Sequence, residues 1–77
     1  MDDLLAYLAR ALVDHPEQVA VNSYDESDGS VVLELTVAED DVGKVIGRNG
    51  RTINALRTVV RASAAKLGRR VLIDVVE

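Results

Sequence analysis

The stretch VGKVIGRNGRTINALRTVV, residues 42–60, gathers the side chains of this sequence best suited to meet an anion. Gly47 and Gly50 bracket Arg48 and Asn49, with Lys44 three residues upstream and Arg51 directly downstream. Glycine lets a backbone approach a ligand with no Cβ in the way and adopts positive φ at little steric cost. A helix starting just after the second glycine would add unpaired N–H groups and a partial positive charge. Arginine can engage phosphate oxygens in pairs. Two glycines at this spacing also serve as an ordinary helix cap and tight turn, but the three flanking cations tilt the reading toward a phosphate ligand.

Ile46 and Ile53 place apolar side chains where the floor of a groove beside such a loop would lie. Bases of a single strand could rest there while phosphates meet the turn. Asn54, Arg57 and Arg61 continue along the polar face of the following helix. Arg57 and Arg61 repel each other slightly at i, i+4, and keeping them on one face with Arg51 points to an anion track or an acidic partner.

Other chemistries find little to work with. There is no cysteine, and His15 is the only histidine. No nucleophile–base set can be assembled, so an enzyme is not expected. The carboxylates of the first half are scattered over different elements, which fits a solvated face better than a metal site. Neither G-x-x-x-x-G-K-[ST] nor G-x-G-x-x-G occurs, and no cofactor is expected. Tyr7 and Tyr24 are the only aromatic residues, so base stacking on a sheet surface is not expected.

The elements that must hold the loop follow from periodicity. Residues 3–13 predict a helix with Leu5, Leu8 and Leu12 on one stripe and Leu4 beside it, ended before Pro16. QVAVNSY, residues 18–24, predicts a strand with Val19 and Val21 on one face, and DESDG, residues 25–29, a turn. SVVLELTV, residues 30–37, alternates strictly, with Val31, Leu33, Leu35 and Val37 facing one way. Residues 38–46 predict a two-turn helix with its acids in the first turn, and residues 51–67 a long one carrying Ile53, Leu56, Val60, Ala64 and Leu67, terminated by Gly68. Residues 69–76 close the chain as a strand with Val71, Ile73 and Val75 inward. The order α-β-β-α-α-β implies an antiparallel hairpin. The double-helix crossover is long enough to bring the last two strands together as parallel neighbours. The expected fold is α+β: a three-stranded mixed sheet backed on one face by three helices, forming a single domain over residues 1–77.

The charge is distributed unevenly. Residues 1–40 carry ten acids and one base, whereas residues 41–77 carry eight bases and three acids, within a net charge of −4. A basic surface confined to one half steers a polyanion despite the overall sign. The amino terminus, MDDLLAYLARALVDH, is acidic where a signal peptide would be basic, and no apolar run approaches the length of a membrane helix. The expected location is the cytoplasm, with no membrane association.

VIGRNGRTINALR resembles the signature of the KH domain, in which a G-x-x-G loop follows V-I-G and precedes x-x-I-x-x-L/I. The element order is similar to that of the type II, prokaryotic form of the fold. The length and the ending LRTVVRASAAKLGRRVLIDVVE resemble the KhpA family of small free-standing bacterial KH proteins. The resemblance covers nearly the whole chain. It implies an RNA chaperone or adaptor that clamps about four nucleotides of single-stranded RNA, or single-stranded DNA, by the backbone. Gly47, Arg48, Asn49 and Gly50 correspond to the loop, and Ile46 and Ile53 to its apolar flanks. Asn49 departs from the pattern of a cation at the second middle position. The resemblance also implies a homodimer, or a heterodimer with a larger KH-containing protein. Outward-facing Val32, Leu72 and Val76 are apolar enough to mark an oligomer contact. The alternative is a protein-interaction module that keeps the KH fold for dimerisation with weak or no RNA binding.

Overall fold

The computed structural model describes residues 1–76. Helix α1 (Asp2–Leu12) opens with two acids at its positive end and is followed by a 3₁₀ turn at Pro16–Gln18. That turn closes with the Val19 N–H donating to the Pro16 carbonyl at 3.1 Å, so strand β1 (Ala20–Asp25) begins two residues later than periodicity suggests. A turn at Gly29, φ 89°, leads into β2 (Val31–Thr36). The two helices α2 (Val42–Ile46) and α3 (Arg51–Lys66) then carry the chain over to β3 (Val71–Val76).

The sheet order is β1-β2-β3, antiparallel on one side of β2 and parallel on the other. Its register aligns Val31 with Val71, Leu33 with Ile73 and Leu35 with Val75. One face therefore presents continuous apolar rows, and all three helices pack on it. Leu5 and Ala9 of α1, Val45 of α2 and Ile53, Leu56, Val60 and Ala64 of α3 complete one core with these strands. At about 25 cal/mol per Å² of apolar surface buried, this shared core is the main favourable contribution to stability.

Three expectations need adjustment. Leu67, expected on the apolar stripe of the long helix, follows α3 as its C-cap and is 67% exposed. The apolar centre of α1 is Leu5 and Ala9; Leu8 is half-buried, and Leu12 lies at the rim, 41% exposed. The two-turn helix at 38–46 is instead a 3₁₀ turn at Glu39–Asp41 followed by α2. Val37 and Ala38 are buried at the end of β2, and Ala38 is extended. Anchoring the backbone there delays the helix until the chain has turned off the sheet.

Candidate functional site

The loop between α2 and α3 has the conformation that only glycine-like residues hold at low cost. Gly47 adopts φ 76°, ψ 172°, Asn49 φ 57°, ψ 25° and Gly50 φ 75°, ψ 14°. Asn49 is the one non-glycine residue with positive φ among the described residues. Its short polar side chain makes it one of the few residues tolerated in the left-handed region. Its presence in place of a lysine or arginine therefore has a backbone reason.

Gly47 has a second constraint. A Cβ there would lie 2.7 Å from Thr52 Cβ and 2.9 Å from the Thr52 backbone nitrogen, and closer still to Thr52 Oγ1. The Thr52 side chain thus sits on the bare face of Gly47 and locks the first turn of α3 against the loop. Gly50 is looser, since a Cβ would meet only Asn54 Nδ2 at 3.8 Å and Ile53 Cγ2 at 3.9 Å. Nothing in the sequence distinguishes the two glycines. A threonine two residues after the second one is the signal, and its meaning appears only once the loop is closed.

The loop ends in a single 3₁₀ turn, with the Gly50 N–H donating to the Gly47 carbonyl at 3.2 Å. No side chain caps α3. The amides of Arg48 and Asn49 stand ahead of that first internal bond, at the positive end of a 16-residue helix. Arg48 and Arg51 are exposed and make no ion pair among the described residues. The loop amides, the amino end of α3 and two guanidinium groups without an ion-pair partner among the described residues thus lie within four consecutive residues, 48–51.

The other expected site residues divide. Ile46, half-buried, packs against the core beside the loop, whereas Ile53 is buried within the core. Ile53 thus supports the loop from beneath rather than lining an open groove. Asn54 accepts a hydrogen bond from Arg57 Nη1 at 3.1 Å. Arg57 also donates from Nη2 to the Ile73 carbonyl on β3 at 3.3 Å, bridging α3 to the free edge of the sheet. The polar face of α3 is thereby pre-ordered next to the loop.

Lys44 is not a free cation. Its ammonium pairs with Asp14 and lies 3.4 Å from Asp41 Oδ1. The hydrogen bond to Asp14 chiefly, assisted by the charges of Asp14 and Asp41, outweighs partial desolvation and holds the lysine above its ordinary 10.5. Asp41, one of the acids grouped by sequence in the first turn of a helix, is fully buried. Burial would raise its pKa, but N–H groups from Asp14 and His15 together with Lys44 reverse the balance and hold it below 3.8. The i, i+3 spacing of Asp41 and Lys44 was the available hint of this pair.

A shallow concavity of about 500 Å³ opens between the ends of β2 and β3 and the start of α2, lined by Thr36, Val37, Glu39, Val42 and Val76. It touches α2 only at Val42, the end remote from the loop. Among the described residues no group of three or more His, Asp or Glu side chains gathers to hold a metal ion. Among the described residues no helix is long and apolar enough to cross a membrane.

Residues 2–75 match the family described as KhpA/KhpB, KH domain. A relative from Halalkalibacterium halodurans, named RNA-binding protein KhpA, is 49% identical over 77 residues, covering the whole of both chains. Another of that name from Treponema pallidum is 45% identical across 99% of this chain and 94% of its own. Among solved structures, Era in complex with MgGDPNP and a segment of 16S ribosomal RNA superposes with a TM-score of 0.68 at 19% identity. It covers 96% of this chain and 28% of that one. A second Era structure, from Aquifex aeolicus with bound GDP and aluminium fluoride, gives 0.67 over the same shares. At that identity the likeness concerns the fold alone.

Proposed function

Because the chain belongs to the KhpA/KhpB KH-domain family, we propose that it is a non-catalytic RNA-binding module that clamps single-stranded RNA through the Gly47–Gly50 loop. The observation that carries this reading is the loop itself, where a helix start without a side-chain cap meets two arginines that have no ion-pair partner among the described residues, on a backbone kept bare by glycine. Arg48 and Arg51 neutralise phosphate, the loop amides donate to it, and Asn49 adds a polar contact. Asn54 and Arg57 extend the contact along α3, Ile46 offers the apolar flank and Ile53 holds the loop floor. Lys44 contributes through its place in α2, its charge being balanced by Asp14 and Asp41. Single-stranded DNA is the competing ligand, since phosphate contacts do not read the ribose. The expected setting is the cytoplasm.

Replacing Arg48 and Asn49 together with Asp should abolish binding of a short single-stranded RNA in fluorescence anisotropy while leaving the circular dichroism spectrum unchanged. Wild-type binding should weaken with salt at about 0.7 in log–log slope per phosphate contact, so about 1.4 to 2 for two or three contacts. Unchanged affinity in the double variant, or a flat salt response, would refute the clamp.

A second reading, association with another KH protein, is favoured by a groove between α1 and α3. Leu8, Leu12, Ala55 and Val59 line it almost without polar groups, and Val59 is 47% exposed. The partner would be a second copy of this chain or a larger KH-containing protein. Sedimentation of the wild type against Val59→Asp separates the readings: a monomeric wild type whose sedimentation Val59→Asp leaves unchanged removes the self-association form.

A further inference from the structure

The RNA contact proposed above makes no use of Asp41, although it is the one fully buried ionisable side chain among the described residues. A carboxylate taken out of water is costly unless charge and hydrogen bonds compensate it. Here the compensation is complete and comes from two separate parts of the chain. Oδ1 accepts the Asp14 N–H at 3.1 Å, Oδ2 accepts the His15 N–H at 3.0 Å, and Lys44 completes the set. α1 has ended at Leu12 and the Pro16 turn has not begun, so these two amides are bonded to neither element. Asp41 fastens the α1–β1 connection to the amino end of α2.

The opposite end of α2 is the loop. α2 is only five residues long, too short to hold its shape or direction unaided. It is held at Asp41, by the fully buried Val45 and by the Gly47 N–H closing onto the Gly43 carbonyl at 2.9 Å. We propose that Asp41 is a positioning residue for the Gly47–Gly50 loop, setting the tilt of α2 and with it the place where the loop meets its ligand. The helix rises about 7.5 Å over five residues, so a tilt of about 10° moves Gly47 by about 1.3 Å. That displacement exceeds the whole working range of an N–H···O hydrogen bond.

The relevance to RNA rests on the proposed function, but the geometry can be tested without it. In Asp41→Asn, the side-chain oxygen replaces only one of the two carboxylate acceptors, so either the His15 N–H, or the Asp14 N–H together with Lys44, loses its acceptor at this residue, while Lys44 keeps Asp14. The expected result in ¹H–¹⁵N spectra is displacement of the Gly47, Asn49 and Gly50 amide signals, in addition to those of Asp14 and His15. RNA affinity, measured where the variant is fully folded, should fall about fivefold or more, as for loss of one hydrogen bond. Val31→Ala, a core change on β2, controls for stability: it should lower the melting temperature yet leave loop signals and affinity in place. If Asp41→Asn fails to fold, Lys44→Met supplies the same spectral test with the two amide bonds intact, and a smaller loop displacement is expected. Loop signals unmoved in the folded variant would overturn the assignment. A wild type that binds no RNA would instead overturn the proposed function, leaving the spectral result to decide the role of Asp41.

Discussion

The two glycines of the loop look equivalent in sequence, and the structure makes them unequal in a way that Ala substitution can measure. Gly50 lies in the left-handed helical region, where an L-residue costs about 1–2 kcal/mol. Its new methyl group would make only ordinary contacts, at 3.8 and 3.9 Å. Gly47 lies near φ 76°, ψ 172°, a region essentially reserved for glycine and costing other residues about 1–3 kcal/mol. Its methyl group must also displace Thr52, whose Cβ and backbone nitrogen would lie 2.7 and 2.9 Å away. Because that backbone belongs to the first turn of α3, the side chain cannot simply rotate away, and overpacking adds about 1–3 kcal/mol. The expected loss is therefore about 1–2 kcal/mol for Gly50→Ala and about 2–6 kcal/mol for Gly47→Ala. With about 4–8 °C per kcal/mol in a domain of this size, Gly50→Ala should melt roughly 4–16 °C below wild type. Gly47→Ala should melt at least about 8 °C lower and, at the upper end, not fold. Thermal and urea denaturation followed by circular dichroism provide the comparison. Thr52→Ala in the Gly47→Ala background should recover only part of the loss, because the backbone nitrogen stays in place. Equal losses at the two positions, or a milder effect at Gly47, would refute the assignment of the Thr52 contact.

Asn49→Gly should change stability by less than about 1 kcal/mol, whereas Asn49→Val, β-branched at positive φ, should cost about 1–2 kcal/mol in urea titrations. Arg57→Ala should cost about 0.5–1.5 kcal/mol through the lost bond to the Ile73 carbonyl, read as a lower urea midpoint with unchanged slope. The pH dependence has a defined sign. Asp28, held down first by the Ser30 hydroxyl and then by the Ser30 N–H, and Asp41 both lie below their ordinary 3.8 in the folded chain. Their stabilisation is present above that value and is lost as pH falls through their folded values. Lys44, raised above 10.5, contributes fully below 10.5 and loses that contribution as pH rises through its folded value. The urea midpoint should therefore fall below about pH 4, and the fall should be shallower in Asp41→Asn than in wild type.

Much of this domain is legible in the chain because local rules decide it. Alternation over Val31–Val37 can satisfy only a strand with one buried face. Pro16 and Gly68 punctuate the elements on either side, and the Gly47–Gly50 spacing marks the turn between α2 and α3. The family resemblance rests on those same residues. Tertiary structure decided what depends on contacts between distant segments. Asp41 and Lys44 look like a surface acid and a ligand-seeking cation until α1 brings Asp14 and two unpaired amides against them, 26 to 30 residues away in sequence. Ile53 reads as part of a groove until the sheet closes over it. Gly47 differs from Gly50 only because Thr52 folds back onto one of them. Sequence periodicity records which side of an element is apolar; it carries no record of which polar group from another element will arrive there, and that arrival sets the roles of Asp41, Lys44 and Thr52 around the loop.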